Sequence, residues 1–450
     1  MKIAVTISAS EEDQVPLDSD LHAEDMRSQR RKAAFAGVVG TAIEWYDFFL
    51  YGTAAAVVFP QVFFPQSSEY AGTLSSFATY AVGFAARPVG AAIFGHWGDR
   101  IGRKATLIVT LALMGVSSAL IGVLPGTASI GVAAPVLLVV LRVLQGIAVG
   151  GEWSGSVLLS MEWGDQRRRG LMASWPQTGV PIGLILGTGM MSLLATTAGD
   201  AFVEWGWRVP FLASVLLVAV GLWVRLRVME TPLFAQVIER RQVARLPIAE
   251  VLTRHPKEVV LSALARASEQ LPFYIFTTFA LTYVVKEVGL SSGFALAAVT
   301  CAAALELAAI PAFGHLSDRV GRRKVYATGA VVLAVVAFPY FMALNTAIPV
   351  VVFLTIMIVQ IQHSMEYGPQ AAMIAESFPT GLRYGGAGLG YQLSSLIAGG
   401  PAPLVATWLL HDFGWQAIAL FMIAGAVVGF TATLLLPDRS KVDIADHAAY

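Results

Sequence analysis

Residues 95–104 read Gly-His-Trp-Gly-Asp-Arg-Ile-Gly-Arg-Lys and lie between two long apolar runs. A second copy, Gly-His-Leu-Ser-Asp-Arg-Val-Gly-Arg-Arg-Lys, occupies residues 314–324. Gly95 and Gly314 begin the copies, and the aspartate, arginine and later glycine keep the same spacing in both. A repeat at about half of a 450-residue chain indicates two halves built on one plan.

The repeated motif suits a tight connection between two membrane helices. Asp99 can accept hydrogen bonds from backbone N–H groups at a neighbouring helix N-terminus, or it can pair with a nearby arginine. Glycines permit close packing or a sharp turn, and the basic residues hold the connection at the cytoplasmic surface. A static basic loop is the alternative, but two matched copies favour a conformational latch. The candidate latch residues are Gly95, Asp99, Arg100, Gly102, Arg103, Asp318, Arg319, Gly321 and Arg322.

The motif resembles the signature loop of the major facilitator superfamily of transporters. Further stretches resemble its metabolite:proton symporter branch, which includes carriers of shikimate, α-ketoglutarate and proline or betaine. These stretches are residues 44–48 (EWYDF), 87–90 (RPVG), 145–153 (QGIAVGGEW) and 205–211 (WGWRVPF). The resemblance runs from about residue 33 to 436. It implies a transporter, not an enzyme, folded as an all-α membrane protein with twelve transmembrane helices in two pseudo-symmetric six-helix bundles.

Composition independently indicates a membrane protein. Hydrophobic residues make up 56% of the chain and charged residues 13%, and the mean hydropathy is +0.66. A soluble domain carries about 25% charged residues, and only a bilayer can solvate this much apolar surface. The formal net charge of zero excludes nucleic-acid binding through bulk basicity. Cys301 is the sole cysteine, which excludes an intrachain disulfide.

Twelve apolar segments are long enough to cross a bilayer, six in each half. They lie at residues 34–59, 71–96, 104–124, 135–161, 170–195, 208–229, 258–286, 293–316, 322–345, 349–375, 382–410 and 414–436. The predicted divisions are a cytoplasmic tail at 1–32, a six-helix bundle at 33–229, a cytoplasmic linker at 230–257, a second six-helix bundle at 258–436 and a cytoplasmic tail at 437–450. In the linker we expect an amphipathic surface helix around Glu239, Arg240 and Arg241.

The distribution of lysine and arginine predicts the orientation. Most of the 30 basic residues fall in the two tails and in the loops that follow even-numbered spans. The loops expected outside hold only Arg208 and Lys286. The positive-inside rule therefore puts both termini in the cytoplasm of a multi-pass plasma-membrane protein.

Ionisable residues inside the spans form a predicted polar layer. Arg87 precedes Asp99 by twelve helical residues, or about 18 Å, which is near the middle of a roughly 30 Å core. Glu306 stands the same distance before Asp318 in the second half. Such residues are costly in lipid and persist with a partner or a water-filled cavity. Carriers with repeated halves bind substrate and coupling ion at this depth.

Asp47 is the preferred proton carrier. Its aromatic neighbours in the sequence disfavour the charged carboxylate, whereas Arg87 favours it, so the group is poised to load and release a proton. Arg142 stands in an Arg-x-x-Gln-Gly pattern whose resemblance to the superfamily implies a part in proton coupling; a static ion pair is the alternative. The predicted coupling residues are Asp47, Glu44, Arg142 and Glu152.

A second group of polar residues provides candidate substrate contacts. His363 could carry protons at physiological pH or simply join two helices by hydrogen bonds. For the arginines and tyrosines, ion pairing or packing within the bundle is the structural alternative. The predicted binding residues are Arg87, Tyr51, Arg266, Glu269, Tyr274, Glu306, His363, Glu366, Gln370, Tyr391 and Gln392.

These observations predict a proton-coupled symporter that imports a small polar metabolite, with an organic acid as the leading substrate class. A zwitterion or cation such as a betaine or amino acid is one alternative, because acids outnumber bases in the polar layer. A proton-driven exporter or antiporter is another, although span five lacks the Gly-Pro-x-x-Gly-Gly order associated with drug antiporters. We expect no cofactor beyond the proton gradient, no metal and no nucleic acid. The expected partners are substrate, protons and lipid, with the protein a monomer.

Overall fold

The computed structural model describes residues 15–199, 201–227, 229, 231 and 247–442, and these ranges fold into helices joined by short connections. In the first half the helices are α1 Val15–Val57, α2 Phe59–Phe63, α3 Glu69–Ile101, α4 Arg103–Val123, α5 Thr127–Ile130, α6 Ala133–Trp163, α7 Arg169–Gln177, α8 Gly179–Ala198 and α9 Arg208–Leu226.

The remaining helices belong to the linker and the second half. They are α10 Pro247–Arg254, α11 Pro256–Tyr274, α12 Ala280–Lys286, α13 Ser292–Val320, α14 Arg322–Leu344, α15 Pro349–Glu376, α16 Arg383–Ser394, α17 Ala402–Phe413 and α18 Trp415–Leu435. Two π-helical turns, Ile275–Phe279 and Ser395–Gly399, continue α11 and α16 and let each helix run on as one long rod.

A single glycine turns one helix into the next in each repeated motif. Gly102 joins α3 to α4 with φ 114° and ψ 159°, and Gly321 joins α13 to α14 with φ 109° and ψ 142°. Residues with a side chain rarely adopt this backbone region. The glycine of the motif therefore allows one helix to end and the next to begin with a single residue between them.

Ten helical segments of the described ranges are long and apolar enough to cross a membrane. This identifies an all-helical membrane protein. Two of the twelve expected spans are not among the ten: α3, and the continuous helical run 256–286 that begins with α11. Both are of spanning length, and both carry charge in the middle, at Arg87 in α3 and at Arg266 and Glu269 in α11.

The helices pack in equivalent ways in the two halves. In the first half α3 lies along α6, and in the second half α13 lies along α15. The halves contact each other where α3 packs against α16 and where α7 packs against α13 and α15. These two seams are related by the repeat, and the polar residues described below lie beside them.

The predicted tails and linker fall partly outside the described residues. Helix α1 already begins at residue 15, inside the range expected as a tail. The linker residues Glu239, Arg240 and Arg241 lie outside the described ranges. Beyond them, α10 packs between α3 and α16, with Ile248 close to Gly95 and Gly385.

Candidate functional site

The first repeated motif joins the two halves through Asp99. Its carboxylate accepts hydrogen bonds from the backbone N–H groups of Tyr384 at 3.1 Å and Gly385 at 2.8 Å. These two N–H groups lie in the first turn of α16, where they have no partner within their own helix. Asp99 thus binds a helix N-terminus in the opposite half.

The second motif makes the same contact in the reverse direction. Asp318 accepts hydrogen bonds from the N–H groups of Gly170 at 2.8 Å and Leu171 at 2.9 Å, in the first turn of α7. Arg322 donates to Asp318 at 2.6 Å and holds its carboxylate in place. The two motifs therefore form a reciprocal pair of contacts between the halves.

Two buried glutamates add ion pairs that cross between the halves. Glu162, at the end of α6, lies 3.7 Å from Arg103 of its own half and 3.5 Å from Arg383 of the other. Glu376, at the end of α15, lies 3.3 Å from Arg322 of its own half. It also pairs with a first-half residue, Arg169, at 2.8 Å.

Our sequence analysis did not select these glutamates or their crossing partners as site residues. A usable signal was present, because Glu162 and Arg169 stand seven residues apart, as do Glu376 and Arg383. A glutamate and an arginine with equal spacing at matched places in a repeat indicate a duplicated contact.

Two of the predicted latch residues stand outside these contacts. Arg100 and Arg319 are both exposed. Arg100 reaches only His96, on its own helix at 3.4 Å, and Arg319 makes no hydrogen bond or ion pair with the described residues. The remaining seven lie in the contact region, where Gly95 allows the close approach of α3 to Gly385.

Four of the predicted residues surround one cavity in the first half. Glu44, Asp47, Arg87 and Arg142 line a free volume of ≈ 10 Å³, about the room that one water molecule needs. The structure therefore brings together predicted residues from α1, α3 and α6. We call this the first-half cavity.

Arg87 is an unpaired cation at this cavity. Its guanidinium lies over the rings of Phe48 at 5.0 Å and Phe84 at 4.6 Å, and the residue is 3% exposed. It forms no hydrogen bond or ion pair with any residue in the described ranges. Glu44 also has a buried carboxylate oxygen, Oε2, without a hydrogen-bond partner there. Both groups are available to a ligand.

A chain of hydrogen bonds links Asp47 to Arg142. Ser118 donates to Asp47 at 2.6 Å, Gln145 donates to Ser118 at 2.6 Å, and Arg142 donates to Gln145 at 2.8 Å. Arg142 also lies over the ring of Tyr51 at 4.2 Å. Because hydrogen bonds in series polarise one another, a change of charge on Asp47 alters the electrostatic environment of Arg142, and the reverse also holds.

Glu152 lies apart from the first-half cavity in a network of its own. It pairs with Arg225 of α9 and accepts hydrogen bonds from Thr110 at 2.9 Å and Ser156 at 3.1 Å. Arg225 stands near the end of the predicted span 208–229 and is not among the predicted site residues. The structure buries it within the bundle, where it offsets part of the expected excess of acidic groups.

A second small cavity lies between the halves. Its free volume is also ≈ 10 Å³, and Trp45 and Val180 form its first-half wall. The second half contributes Arg266, Glu269, Gln270, Phe273, His363, Tyr367 and Tyr391. We call this the central cavity. Four of the predicted binding residues therefore line this cavity: Arg266, Glu269, His363 and Tyr391. A fifth, Arg87, lines the first-half cavity.

Arg266 of the central cavity is held by its own half. It donates to the Tyr391 carbonyl at 3.1 Å and to the Ser395 hydroxyl at 3.0 Å, and it also bonds to Gln270. Its guanidinium lies 3.4 Å above the ring of Tyr391. Gln392 joins this group because it accepts a hydrogen bond from Ser395 at 3.2 Å.

His363 joins two buried glutamates. Its Nδ1 lies 2.5 Å from Glu306 and its Nε2 lies 2.9 Å from Glu269. Gln370 donates to the other oxygen of Glu269 at 3.0 Å. Glu366 does not line the central cavity, and Ser268 and Gln362 donate to it.

An aromatic layer seals the space between the halves. Trp45 lies 5.9 Å from Phe273, and Phe84 lies 5.9 Å from Tyr274, as ring centroids. Trp153 stacks on Tyr391 at 3.7 Å. Apart from Tyr274 and Tyr391, sequence analysis did not select these residues, because an aromatic side chain in an apolar span reads equally well as ordinary core.

Gln177 fixes the layer on the side that the basic residues predict to be cytoplasmic. It accepts a hydrogen bond from Trp153 Nε1 at 2.9 Å and donates to the Tyr367 carbonyl at 3.2 Å. It therefore ties the two halves together beside the Trp153–Tyr391 stack. Within the described part of the chain, no three His, Cys, Asp or Glu residues are grouped so as to hold a metal ion.

Comparison with known proteins identifies the family of this fold. Residues 33–251 match the family described as Sugar (and other) transporter, and residues 260–448 match the Major Facilitator Superfamily. A structure of the proton:xylose symporter bound to 6-bromo-6-deoxy-D-glucose superposes with a TM-score of 0.77 at 17% identity. The match covers 94% of this chain and 99% of that one.

Curated relatives match along nearly the whole chain. The shikimate transporter of Escherichia coli is 43% identical over 420 residues, which cover 92% of this chain and 96% of the relative. An inner membrane metabolite transport protein of the same organism is 38% identical, with coverage of 97% and 98%. The proline/betaine transporter of Salmonella typhimurium is 31% identical, with coverage of 89% and 83%. The chain therefore belongs to the major facilitator superfamily, as a multi-pass inner-membrane transporter of the sugar and metabolite carrier family.

Proposed function

We propose that this chain is a proton-coupled symporter that imports a small organic acid by alternating access. The observation that carries the proposal is Arg87, a buried guanidinium that borders a cavity and has no partner among the described residues. A cation in such a place is costly unless an anion joins it. A substrate carboxylate supplies that anion, with Arg266 and Tyr391 as further contacts across the aromatic layer.

Proton coupling is assigned to Asp47 and Glu44. Both line the same cavity as Arg87, so a substrate anion and a proton bind within one electrostatic environment. Arg142 responds to the charge on Asp47 through Gln145 and Ser118. Protonation of Asp47 then compensates the entering negative charge and permits the loaded carrier to reorient. In this mechanism Glu152 fixes α6 against α9 through Arg225 and acts on coupling indirectly.

The moving parts are two six-helix bundles, residues 33–229 and 258–436, joined by the linker 230–257. We count α3 and the run 256–286 as spans, which gives twelve in all. Their charged residues, Arg87, Arg266 and Glu269, are buried and line the two cavities. Both termini then lie in the cytoplasm, on the same side as the latches of Asp99 and Asp318. Opening these latches while the opposite end of the interface between the halves closes exposes the central layer to the cell interior.

Uptake into proteoliposomes under an imposed pH gradient tests the proposal. The substrate panel is shikimate, α-ketoglutarate, proline and glycine betaine, each supplied as labelled compound. We expect accumulation of an organic acid when the outside is acidic, and equilibration alone when the pH is equal on both sides. Equal accumulation with and without the gradient, for a transported panel member, would exclude proton coupling.

A second substrate class is supported by the walls of the central cavity. Trp45, Phe273, Tyr367 and Tyr391 surround it, and Glu269 supplies negative charge. Aromatic faces with a nearby carboxylate are suited to a quaternary ammonium group. A betaine would place its ammonium there and its carboxylate at Arg87. Uptake confined to glycine betaine and proline in the same assay would select this alternative.

A further inference from the structure

The His363 cluster contains a fixed number of protons. Its two nitrogens lie within hydrogen-bond distance of one oxygen each from Glu306 and Glu269. An ionised carboxylate can only accept hydrogen bonds, so each of the two contacts requires one proton between nitrogen and oxygen. The three side chains are at most 3% exposed, so bulk water cannot take the place of either hydrogen bond. The closed cluster therefore holds two protons.

With two protons the cluster is electrically neutral. Arg266 Nε lies 3.7 Å from Glu269 Oε2 and adds one positive charge. Protonated His363 adds another, and Glu269 and Glu306 supply two negative charges. Loss of one proton would leave a net negative charge in a buried site, which is unfavourable without water or a new partner.

The remaining ionisable groups around His363 do not change this balance. Glu366, on the same helix, has the neutral Ser268 and Gln362 as its hydrogen-bond partners among the described residues, and a buried carboxyl group without a cation beside it stays protonated and uncharged. The tyrosines of the neighbouring helices carry neutral hydroxyl groups at physiological pH. The groups that face the cluster, beyond Arg266 and the two glutamates, are Glu366, Tyr367, Tyr326 beside Gln370, Tyr274 and Tyr391.

The two glutamates differ in their position relative to the interface between the halves. Glu269 and His363 line the central cavity, whose other wall is Trp45 and Val180 of the first half. Glu306 is not part of that lining and lies behind the imidazole, on α13. Separation of the halves would expose the Nε2 side of His363 to water and leave the Nδ1 side covered.

We propose that His363, held between Glu269 and Glu306, is a second proton-carrying site of the transporter, in the half opposite Asp47. It rests on the proposed symport and assigns one transported proton to the second half. In the closed form the imidazole carries both protons. When the cavity opens to the cell interior, Nε2 gives its proton to water, and Nδ1 keeps its hydrogen bond to Glu306.

Substrate binding and protonation are linked at this site. A carboxylate that enters beside Arg266 draws that cation away from Glu269 and adds a negative charge. The protonated cluster offsets this charge, so the anion favours the proton and the proton favours the anion by the same factor. A substrate anion and one proton are then carried together.

Two variants test this site by transport. Glu306→Gln keeps the shape of the side chain but removes the charge that requires the second imidazole proton, and His363→Gln removes the imidazole. Each is reconstituted with shikimate, or with the panel member that wild type takes up instead. For each unit of pH gradient we expect accumulation to fall about tenfold, the contribution of one proton. Exchange of labelled for unlabelled substrate at equal pH should persist with a weaker pH dependence, because Asp47 still binds its proton.

The control is His411→Gln, which changes an exposed histidine at the end of α17 and should accumulate substrate as wild type does. Melting temperatures establish that each variant is folded, and Glu306→Gln decides the test if His363→Gln fails to fold. Wild-type accumulation by both site variants would overturn the proposed role of His363. Wild type that exchanges substrate without accumulating it would overturn the proposed symport itself.

Discussion

At the residue scale, the buried arginines fall into two kinds. Arg225 and Arg322 each pair with a carboxylate of the protein, at Glu152 and Glu376 respectively. Arg87 instead lies on two phenylalanine rings and has no acceptor among the described residues. Paired arginines hold helices together, whereas an unpaired one beside a cavity retains its hydrogen-bonding capacity for a ligand.

Replacement of Arg87 tests this distinction. Arg87→Gln removes a charge-assisted hydrogen bond to a substrate carboxylate, which contributes about 1.5–3 kcal/mol. We expect affinity to fall roughly 10- to 150-fold. The measurement is substrate affinity from uptake KM and from thermal stabilisation by ligand. Arg100→Gln, on the same helix but exposed, is the matched control and should leave both unchanged. Unchanged affinity in Arg87→Gln would show that the guanidinium only packs.

At the element scale, helix junctions depend on backbone geometry that only glycine accepts. Gly102 and Gly321 each reverse the chain within one residue, at equivalent points of the repeat. Because α4 starts at once after α3, the motif fixes Asp99 and Arg103 on consecutive helix turns. The latch geometry is thus a property of the junction as well as of its charged residues.

Alanine at this junction should destabilise the protein. Gly102→Ala places a side chain where φ is 114°, a conformation that costs about 1–3 kcal/mol. The expected result is a lower melting temperature in detergent. Gly189→Ala provides the matched comparison, because Gly189 lies inside α8 and an added Cβ there would meet nothing within 4 Å. That variant should melt at or above the wild-type temperature; equal loss in both would refute the junction argument.

Elements and their order could be predicted from the sequence, whereas most side-chain partners could not. Apolar run length identifies helices, and the repeat relates Asp99 to Asp318; both then bind helix N-termini, as the motif suggested for Asp99. Depth along a helix follows from residue counting, but rotation about its axis and the choice of neighbour do not. For that reason the pairing of Glu152 with Arg225 could not be predicted, and the joining of helices by His363 was one of two alternatives, without its partners Glu269 and Glu306.

At the scale of the whole molecule, the described contacts hold together the ends of the halves that carry the repeated motifs. Asp99 and Asp318 each bind a helix N-terminus across the interface, and Glu162 and Glu376 each pair with an arginine across it. These contacts occur beside the linker and the start of the C-terminal tail. The conformation is therefore closed towards the side that the basic residues assign to the cytoplasm.

Weakening one latch should shift the balance between conformations. Asp318→Asn removes a negative charge from the N-terminus of α7, which is worth up to about 2 kcal/mol in buried geometry. We expect the ratio of open to closed cytoplasmic ends to rise roughly five- to thirtyfold. Spin labels at Leu226 and Leu435, exposed at the inner ends of α9 and α18, report the distance in a Cys301→Ala background. The neighbouring variant Arg319→Gln should not change the distribution.

The orientation in the membrane can be tested with single cysteines. Cys301 is the only cysteine, so Cys301→Ala gives a cysteine-free background. Val132→Cys lies between α5 and α6 and is expected outside, whereas Arg168→Cys precedes α7 and is expected inside. A membrane-impermeant maleimide should label residue 132 in intact cells and residue 168 only after permeabilisation. The opposite pattern would invert the topology.

The crossing pairs Glu162–Arg383 and Glu376–Arg169 exist in duplicate, and each joins a glutamate of one half to an arginine of the other. The two ion pairs are redundant, since the loss of one leaves the other intact. Genetic screens that change one position at a time will therefore underestimate these four residues. Their importance should emerge as epistasis, when both copies are altered in the same gene.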